Sequence, residues 1–510
     1  MSIYISHQND ITLDVYNRVV YDGETIGFAH DLLTSIDKSH SDFIDFLKSG
    51  STVYGSTTGS GAMVNDPVSQ SDWPERQYNA LVNHSAAIGK PLPYFVSRGI
   101  LFLRINALLS GHAAASVNLV NYMTNRLNEG FTPWVPSSGH GMDGETIPHT
   151  HMAQTLIGEG FLITPDGDKV SAKTYLEENS LPPFEPSRRD AGAMINGYGA
   201  SVAYAVHARR HLTCLLNHLT LVAAISIEGI AASAEHYSTE ISELQKCLGL
   251  SEINNTIRLY LEGSAVDRNT LQAPISYRVT PQLHAVLLQT LWRIDEEVFR
   301  NMSSVSNNAA FFPGRDSEHA YVIHGGQFHN QLLVNIVDGA ALAIAQVGLL
   351  SSKRLHRLMD PSETNLGKQL SLRPGLDSGL IILHKAAIGL IPQLKTMANP
   401  YSLHTEESSL GHTDVETMAL PAINRLFAMS DLVRMMSAYE LYAALVCIDQ
   451  RGQKVSERIH NIRQLVRQSI PPYTRDRSYG PEIELLIELF ETPDFKKKII
   501  DIETPGEFTV

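Results

Sequence analysis

The side chains able to do chemistry in this chain fall in a few short stretches. Tyr54 opens a glycine-rich run, YGSTTGSG, ending at Gly61. As a phosphate cradle it fails: no Lys-Ser/Thr follows Gly61, and the third glycine of a GxGxxG pattern falls on Val64. Two readings remain. One is a surface loop of turn residues; the other is a lid whose glycines permit the backbone changes needed to carry Tyr54 over a pocket. A second stretch gathers His140, Asp143, His149 and His151, ligand types suited to zinc or iron. No metal is expected there. If Pro148 opens a helix, His149 and His151 differ by about 200° around its axis and face opposite sides. There is no HExxH, and no GxSxG to seed a serine hydrolase.

The elements that must position these residues are mostly helical. Asp431–Cys447 places Leu432, Met435, Tyr439, Tyr442 and Val446 three or four apart, one face of a helix, with Ser430-Asp431 as an N-cap signal and Gly452 as a stop. Asn335–Leu358 and Ala191–Glu235 read as long Ala-rich helices, apolar around much of their circumference, which suits a large bundle or an oligomer. Strand signals are short, at Ile3–Ile5 and Thr52–Tyr54, and the Pro-bearing stretch Leu181–Arg189 reads as a surface loop. The expected organisation is an N-terminal part, 1–190, carrying the Tyr54 loop and the Met142-Asp143-Gly144 segment, and a helical bundle, 191–510, together one integrated folding unit. The chain has 510 residues, 43% hydrophobic and 18% charged, with a formal net charge of −14. An acidic surface argues against nucleic-acid binding. Cys214, Cys247 and Cys447 form no CxxC pair, which excludes a disulfide framework and a thiolate zinc site. No secretory signal opens the sequence. The most apolar segments, Leu219–Ala234 and Gly379–Leu394, are interrupted by Glu228 and by His384-Lys385, so no membrane span and a cytoplasmic location are expected.

An ordered set of segments runs along nearly the whole chain. It comprises Tyr54-Gly55 with Thr58–Gly61, Asn83–Gly89 with Pro91-Leu92-Pro93, Leu103–Leu108, Leu156–Gly160, Ile195-Asn196-Gly197, Pro281-Gln282, Gly325–His329 and Asp377–Leu380. This set resembles the aromatic amino-acid ammonia-lyase family, which includes histidine, phenylalanine and tyrosine ammonia-lyases and related aminomutases. The resemblance implies a mostly α fold, an ammonia-lyase-like bundle of long helices with a smaller N-terminal mixed part. It also implies a homotetramer with active sites assembled from several subunits. The family's electrophile is a methylidene-imidazolone formed from Ala-Ser-Gly, whose serine loses water to become an alkene. Fixing Gly141, Gly144 and Pro148 to that pattern puts Met142-Asp143-Gly144 in its place, and the stretch before Gly141 is one residue short. Aspartate has no β-hydroxyl to lose. Ser138, in Ser137-Ser138-Gly139, lies upstream of the frame. The usual prosthetic group is expected to be absent, with no other cofactor.

The same resemblance implies roles for single residues. Tyr54 matches the loop acid/base, whose phenol would need neighbouring donors or positive charge to act near neutrality. Asn196 matches a residue holding substrate, and Arg278 the guanidinium that grips the substrate carboxylate. Gln272 and Phe328 match pocket positions, and His84 the ring-selectivity position, where a histidine favours a hydrogen-bonding group. Ile275 stands in place of a second tyrosine, with Tyr277 displaced two residues, and Thr413 in place of a glutamate. The expected function is therefore a diverged, ammonia-lyase-like enzyme without methylidene-imidazolone. It would act on a small carboxylated, aromatic or amino-acid-derived substrate by proton transfer with elimination, addition, isomerisation or cyclisation, through Tyr54 and Asp143. Two alternatives stay open: a non-catalytic ligand-binding or assembly homologue, and a conventional histidine- or tyrosine-type ammonia-lyase.

Overall fold

A computed structural model describes residues 2–141, 143–268, 270–314 and 319–502. Met142 lies outside them. The chain divides into two compact units, one of Met1–Ala208, Ile294–Asn335 and Pro400–Asn424, the other of Arg209–Arg293, Ile336–Asn399 and Arg425–Val510. The fold is mostly helical, as the periodicity predicts.

All strands among the described residues belong to the first unit, paired as four two-stranded ribbons. β1 (Ser2–Ile5) runs parallel to β2 (Thr25–Phe28). β3 (Ile88–Pro91) is antiparallel to β4 (Pro136–Ser138), β5 (Phe161–Ile163) to β6 (Lys169–Ser171), and β7 (Ala310–Phe312) to β8 (Tyr321–Ile323). Ribbons this short are marginal alone and depend on helices for stability. Thr52–Tyr54 forms no strand. The Val53 carbonyl instead accepts the N–H groups of Ser56 and Thr57, closing a turn that starts the Tyr54 loop.

Three helices of this unit pack on one another: α1 (Trp73–Val82), α3 (Thr146–Leu156) and α4 (Asp190–Ile195). Pro74 in the first turn of α1 suits a position whose N–H has no intrahelical partner. Between them in sequence lies α2 (Tyr94–Leu108), buried through nearly its whole length. Its two buried arginines are anchored by main-chain carbonyls and an amide: Arg98 donates to Val19 and Leu127, and Arg104 to Asn196 O and Asn307 Oδ1.

Four long helices follow: α5 (Gly199–Ile230), α6 (Thr280–Met302), α7 (Gln331–Leu358) and α8 (Ala419–Arg451). The predicted continuous helix 191–235 is interrupted after Ile195, where Asn196 takes an extended conformation. Ser430 does not cap a helix: its hydroxyl donates to the Leu426 carbonyl one turn back at 2.7 Å, so the helix runs through it. Gly452 does end that helix, with φ +64°. In the second unit Gly229 packs so closely that a β-carbon there would lie 3.1 Å from the Ala444 carbonyl. Nearby, the buried Glu440 carboxylate accepts two bonds from Arg354, at 2.6 and 2.9 Å, and one each from the hydroxyls of Ser226 and Ser351, both 2.6 Å. The stretches Asp190–Ile230 and Gln331–Leu358 are long and apolar enough in composition to cross a membrane, but 89% and 61% of their most apolar windows is buried inside the protein. Burial of that kind is what a core helix of a bundle has.

Candidate active site

The packing of α1, α3 and α4 decides which residues meet. His84 follows the end of α1, Asp143 precedes α3, and Asn196 closes α4. These three, with Tyr54, Arg76 and Phe328, line one cavity of about 700 Å³ in the first unit. Thr413 lines it too.

Gly144 holds the Asp143 turn in place. Its φ is +66°, and a β-carbon there would come 2.6 Å from Asn196 Nδ2, so backbone conformation and space both demand glycine. The Gly144 carbonyl accepts the Gly197 N–H at 2.9 Å. Asn196 is anchored from the other side, its Oδ1 accepting the Asn308 N–H at 2.7 Å and its main-chain carbonyl accepting from Arg104 and Asn307. With its oxygen occupied, the Asn196 amide has its Nδ2 donors left, on the side where Gly144 lacks a β-carbon.

Asp143 Oδ1 accepts the Thr417 N–H at 2.9 Å and lies 3.7 Å from His329 Nε2, too long for a hydrogen bond but close for a charge pair. Burial holds the Asp143 carboxyl above its ordinary range, opposed by the His329 charge and by Thr417. Glu416 is a third member. Burial raises it, the Ser408 hydroxyl opposes that, and the Asp143 charge adds to it. The Asp143 and Glu416 carboxyls are thus held close enough for the charge of one to raise the other, beside the His329 ring.

Glu145, one residue past the turn, is fully buried. Its Oε2 accepts the Ser201 N–H at 2.9 Å, in the first turn of α5. Burial pushes it up to about 7, against the Ser201 and Ala200 hydrogen bonds and the Arg104 charge. His149 is pushed down to about 3, by burial first and then by Arg104. His151 Nε2 accepts the Ala87 N–H, and His140 Nε2 bonds the Pro136 carbonyl at 2.5 Å. These are structural bonds. Ser138 lies in β4 opposite Ile88.

Tyr54 is positioned by its own loop. The Gly61 N–H donates to its hydroxyl oxygen at 2.8 Å, and its main-chain N–H donates to His324 Nε2 at 3.2 Å. With that oxygen already accepting one bond, the hydroxyl proton is free to point into the cavity. The Arg76 guanidinium is in electrostatic reach of both Tyr54 and His84. Burial lowers His84, the Ala80 carbonyl opposes, and Arg76 lowers it further, so the ring is a neutral donor and acceptor.

Arg278 and Gln272 belong to the second unit and are not among the residues lining this cavity. Arg278 is half-buried, its Nε donating to the Ala273 carbonyl at 2.9 Å; Gln272 and Ile275 are exposed. Tyr277 is fully buried, with its hydroxyl on the Arg354 carbonyl at 3.0 Å, and is part of the core of that unit. Arg76, His329 and Glu416 escaped the sequence reading as site residues. His329 adjoins Phe328 in a quoted motif, and Glu416 lies three residues beyond Thr413.

The family model for "Aromatic amino acid lyase" matches residues 11–468. Over 483 residues the chain is 29% identical to the histidine ammonia-lyase of Geobacillus thermodenitrificans, covering 93% of this chain and 95% of that one. Tyrosine aminomutase from Streptomyces globisporus shares its fold with a TM-score of 0.87 at 24% identity, over 98% of this chain and 100% of that one. Ergothionase from Treponema denticola, an ergothioneine-degrading enzyme solved with desmethyl-ergothioneine sulfonic acid, gives 0.91 at 22% identity, over 97% and 99%. This chain belongs to the aromatic amino acid lyase family.

Proposed function

We propose that this chain is a lyase-family enzyme that works without a methylidene-imidazolone, on a small carboxylated substrate, with Tyr54 and the Asp143–His329 pair moving protons. The carrying observation is the Asp143 carboxylate in the cavity wall, held by Thr417 and 3.7 Å from His329 Nε2. The residues present do not fit the family's prosthetic group. Aspartate carries no hydroxyl whose loss would give an alkene, and Ser138 is engaged in the β3–β4 ribbon, outside the cavity lining. Ring closure demands a preorganised tight turn, which an extended strand does not offer.

In the elimination form, Tyr54 acts as its phenolate, the form reached once its hydroxyl proton has been given up, and takes a proton from the carbon next to the one bearing the leaving group, becoming the phenol again. The C–H electron pair becomes the double bond, and the leaving group departs with its bonding electrons, protonated by the Asp143 carboxyl, with His329 behind it. General acid–base catalysis of this kind contributes about 10²–10⁴-fold. Because no electrophile activates an amine, the leaving group must be competent through protonation or its own charge. Asn196 Nδ2 and His84 orient the substrate, and Arg278 grips its carboxylate. That last assignment, with Gln272, is carried from the family together with a homotetrameric assembly.

A panel of carboxylated metabolites, screened for thermal shift and for turnover, tests this reading. Turnover lost in Asp143→Asn supports it. Release of the corresponding acrylates from histidine, tyrosine or phenylalanine would return the protein to conventional amine release, the activity named for its Geobacillus relative. Ligand binding abolished by Arg278→Ala, with no product from any ligand, favours a binding protein.

A further inference from the structure

Arg76 projects from α1 into the wall of the same cavity. Its Nη2 donates to Ser60 Oγ at 2.8 Å, and no carboxylate pairs with it among the described residues. Arg189, the other guanidinium of the wall, is engaged through all three of its nitrogens: Nε donates to Ala113 O, Nη1 to Ser56 Oγ and Nη2 to Ala309 O. Arg76 therefore offers open donors, in the planar fork that matches an oxyanion. Asp143 is occupied by Thr417 and His329, and Asp414, also in the wall, makes no ion pair with Arg76. A half-buried guanidinium without an acid is left under-solvated, a cost that an incoming anion offsets. Ser60 and the neutral His84 stand by as further polar contacts.

We infer that Arg76 and Ser60 form an anion subsite, and that the substrate carries a second acidic group seated there in addition to the carboxylate assigned to Arg278. The word "second" rests on the proposed function; the subsite itself does not. The ligand class is a compact dianion, with carboxylate and sulfonate as alternative chemistries of the same group. Arg76 is a specificity-determining residue, one that selects substrates without handling the transferred proton.

The test measures binding of phenylpropanoate and its para-carboxy and para-sulfo derivatives to the full-length protein by calorimetry. The wild type is expected to bind at least one derivative about tenfold more tightly than phenylpropanoate, a difference of about 1.4 kcal/mol. Arg76→Gln should shrink that preference to about twofold or less, while Arg76→Lys, which keeps the charge without the fork, retains part of it. Unchanged circular dichroism and melting temperature in the two variants would rule out misfolding. Equal affinities in the wild type, no binding of either derivative, or a preference that survives Arg76→Gln would overturn the subsite. Arg278→Ala separates the two claims. If it weakens all three ligands alike while no Arg76-dependent preference exists, only the subsite fails. If it changes nothing while the preference tracks Arg76, the subsite stands and the Arg278 assignment fails.

Discussion

Asp143 and His329 face each other across 3.7 Å, with Asp143 Oδ1 fixed by the Thr417 N–H. The carboxylate belongs to a turn that packing on Asn196 confines to glycine at its next position, and the imidazole lies behind it, one residue past the cavity-lining Phe328. A carboxyl at that site can give or take a proton, which a methylidene-imidazolone ring cannot.

Asp143→Asn removes the titrating group but keeps the acceptor for Thr417. It should lower kcat by about 10²–10⁴ with little change in KM. His329→Gln should have a similar effect and should shift the pH–rate profile, because it removes the charge that opposes the burial-driven rise of Asp143. Steady-state kinetics between acid and alkaline pH check both, and a profile unchanged in His329→Gln would contradict the pairing.

Gly144→Ala forces a β-carbon to within 2.6 Å of Asn196 Nδ2 at a φ of +66°. A loss of about 1–3 kcal/mol in stability is expected, read by urea denaturation. Activity should fall more than stability alone explains, because Asn196 must move.

Much of this site was legible in the sequence because family motifs fix Tyr54, His84, Asn196, Phe328 and the Asp143 frame, and the packing of α1, α3 and α4 brings them to one cavity. Arg76 was not legible. A single arginine on an amphipathic helix looks like part of a solvated face until the Ser60 loop is seen against it. His329 was quoted in a motif, but its relation to Asp143 spans the distance from residue 143 to 329 and exists only in the fold. Glu416 is three residues beyond Thr413, and its electrostatic contact with Asp143 likewise exists only in the fold. Helix content was read correctly from periodicity, yet Ser430 misled, because a hydroxyl caps or lies inside a helix depending on which carbonyl is available.

Glu145 makes stability depend on pH. Its folded-state value of about 7 lies above its ordinary 4.5, so the native state holds the proton more tightly. Stability is therefore fully present below about 4.5 and declines as pH rises through about 7, by up to about 3 kcal/mol from this group alone. Glu145→Gln should flatten that decline, so that its melting temperature gains on the wild type between pH 5 and 8. Parallel melting curves at both pH values would contradict the assignment.

Glu440→Ala strands the Arg354 guanidinium, which is 1% exposed, without its carboxylate. Removing one partner of a buried pair costs about 3–5 kcal/mol. Denaturant unfolding should register that loss, and Arg354→Met paired with Glu440→Leu should recover most of it.

The most direct measurement of the central claim is the intact mass of the purified full-length chain. A carboxylate at position 143 and no ring predicts the mass calculated from the sequence. A deficit of two water molecules, localised by peptide mapping to the segment holding Ser138 and Asp143, would contradict it and establish an electrophilic ring in this cavity.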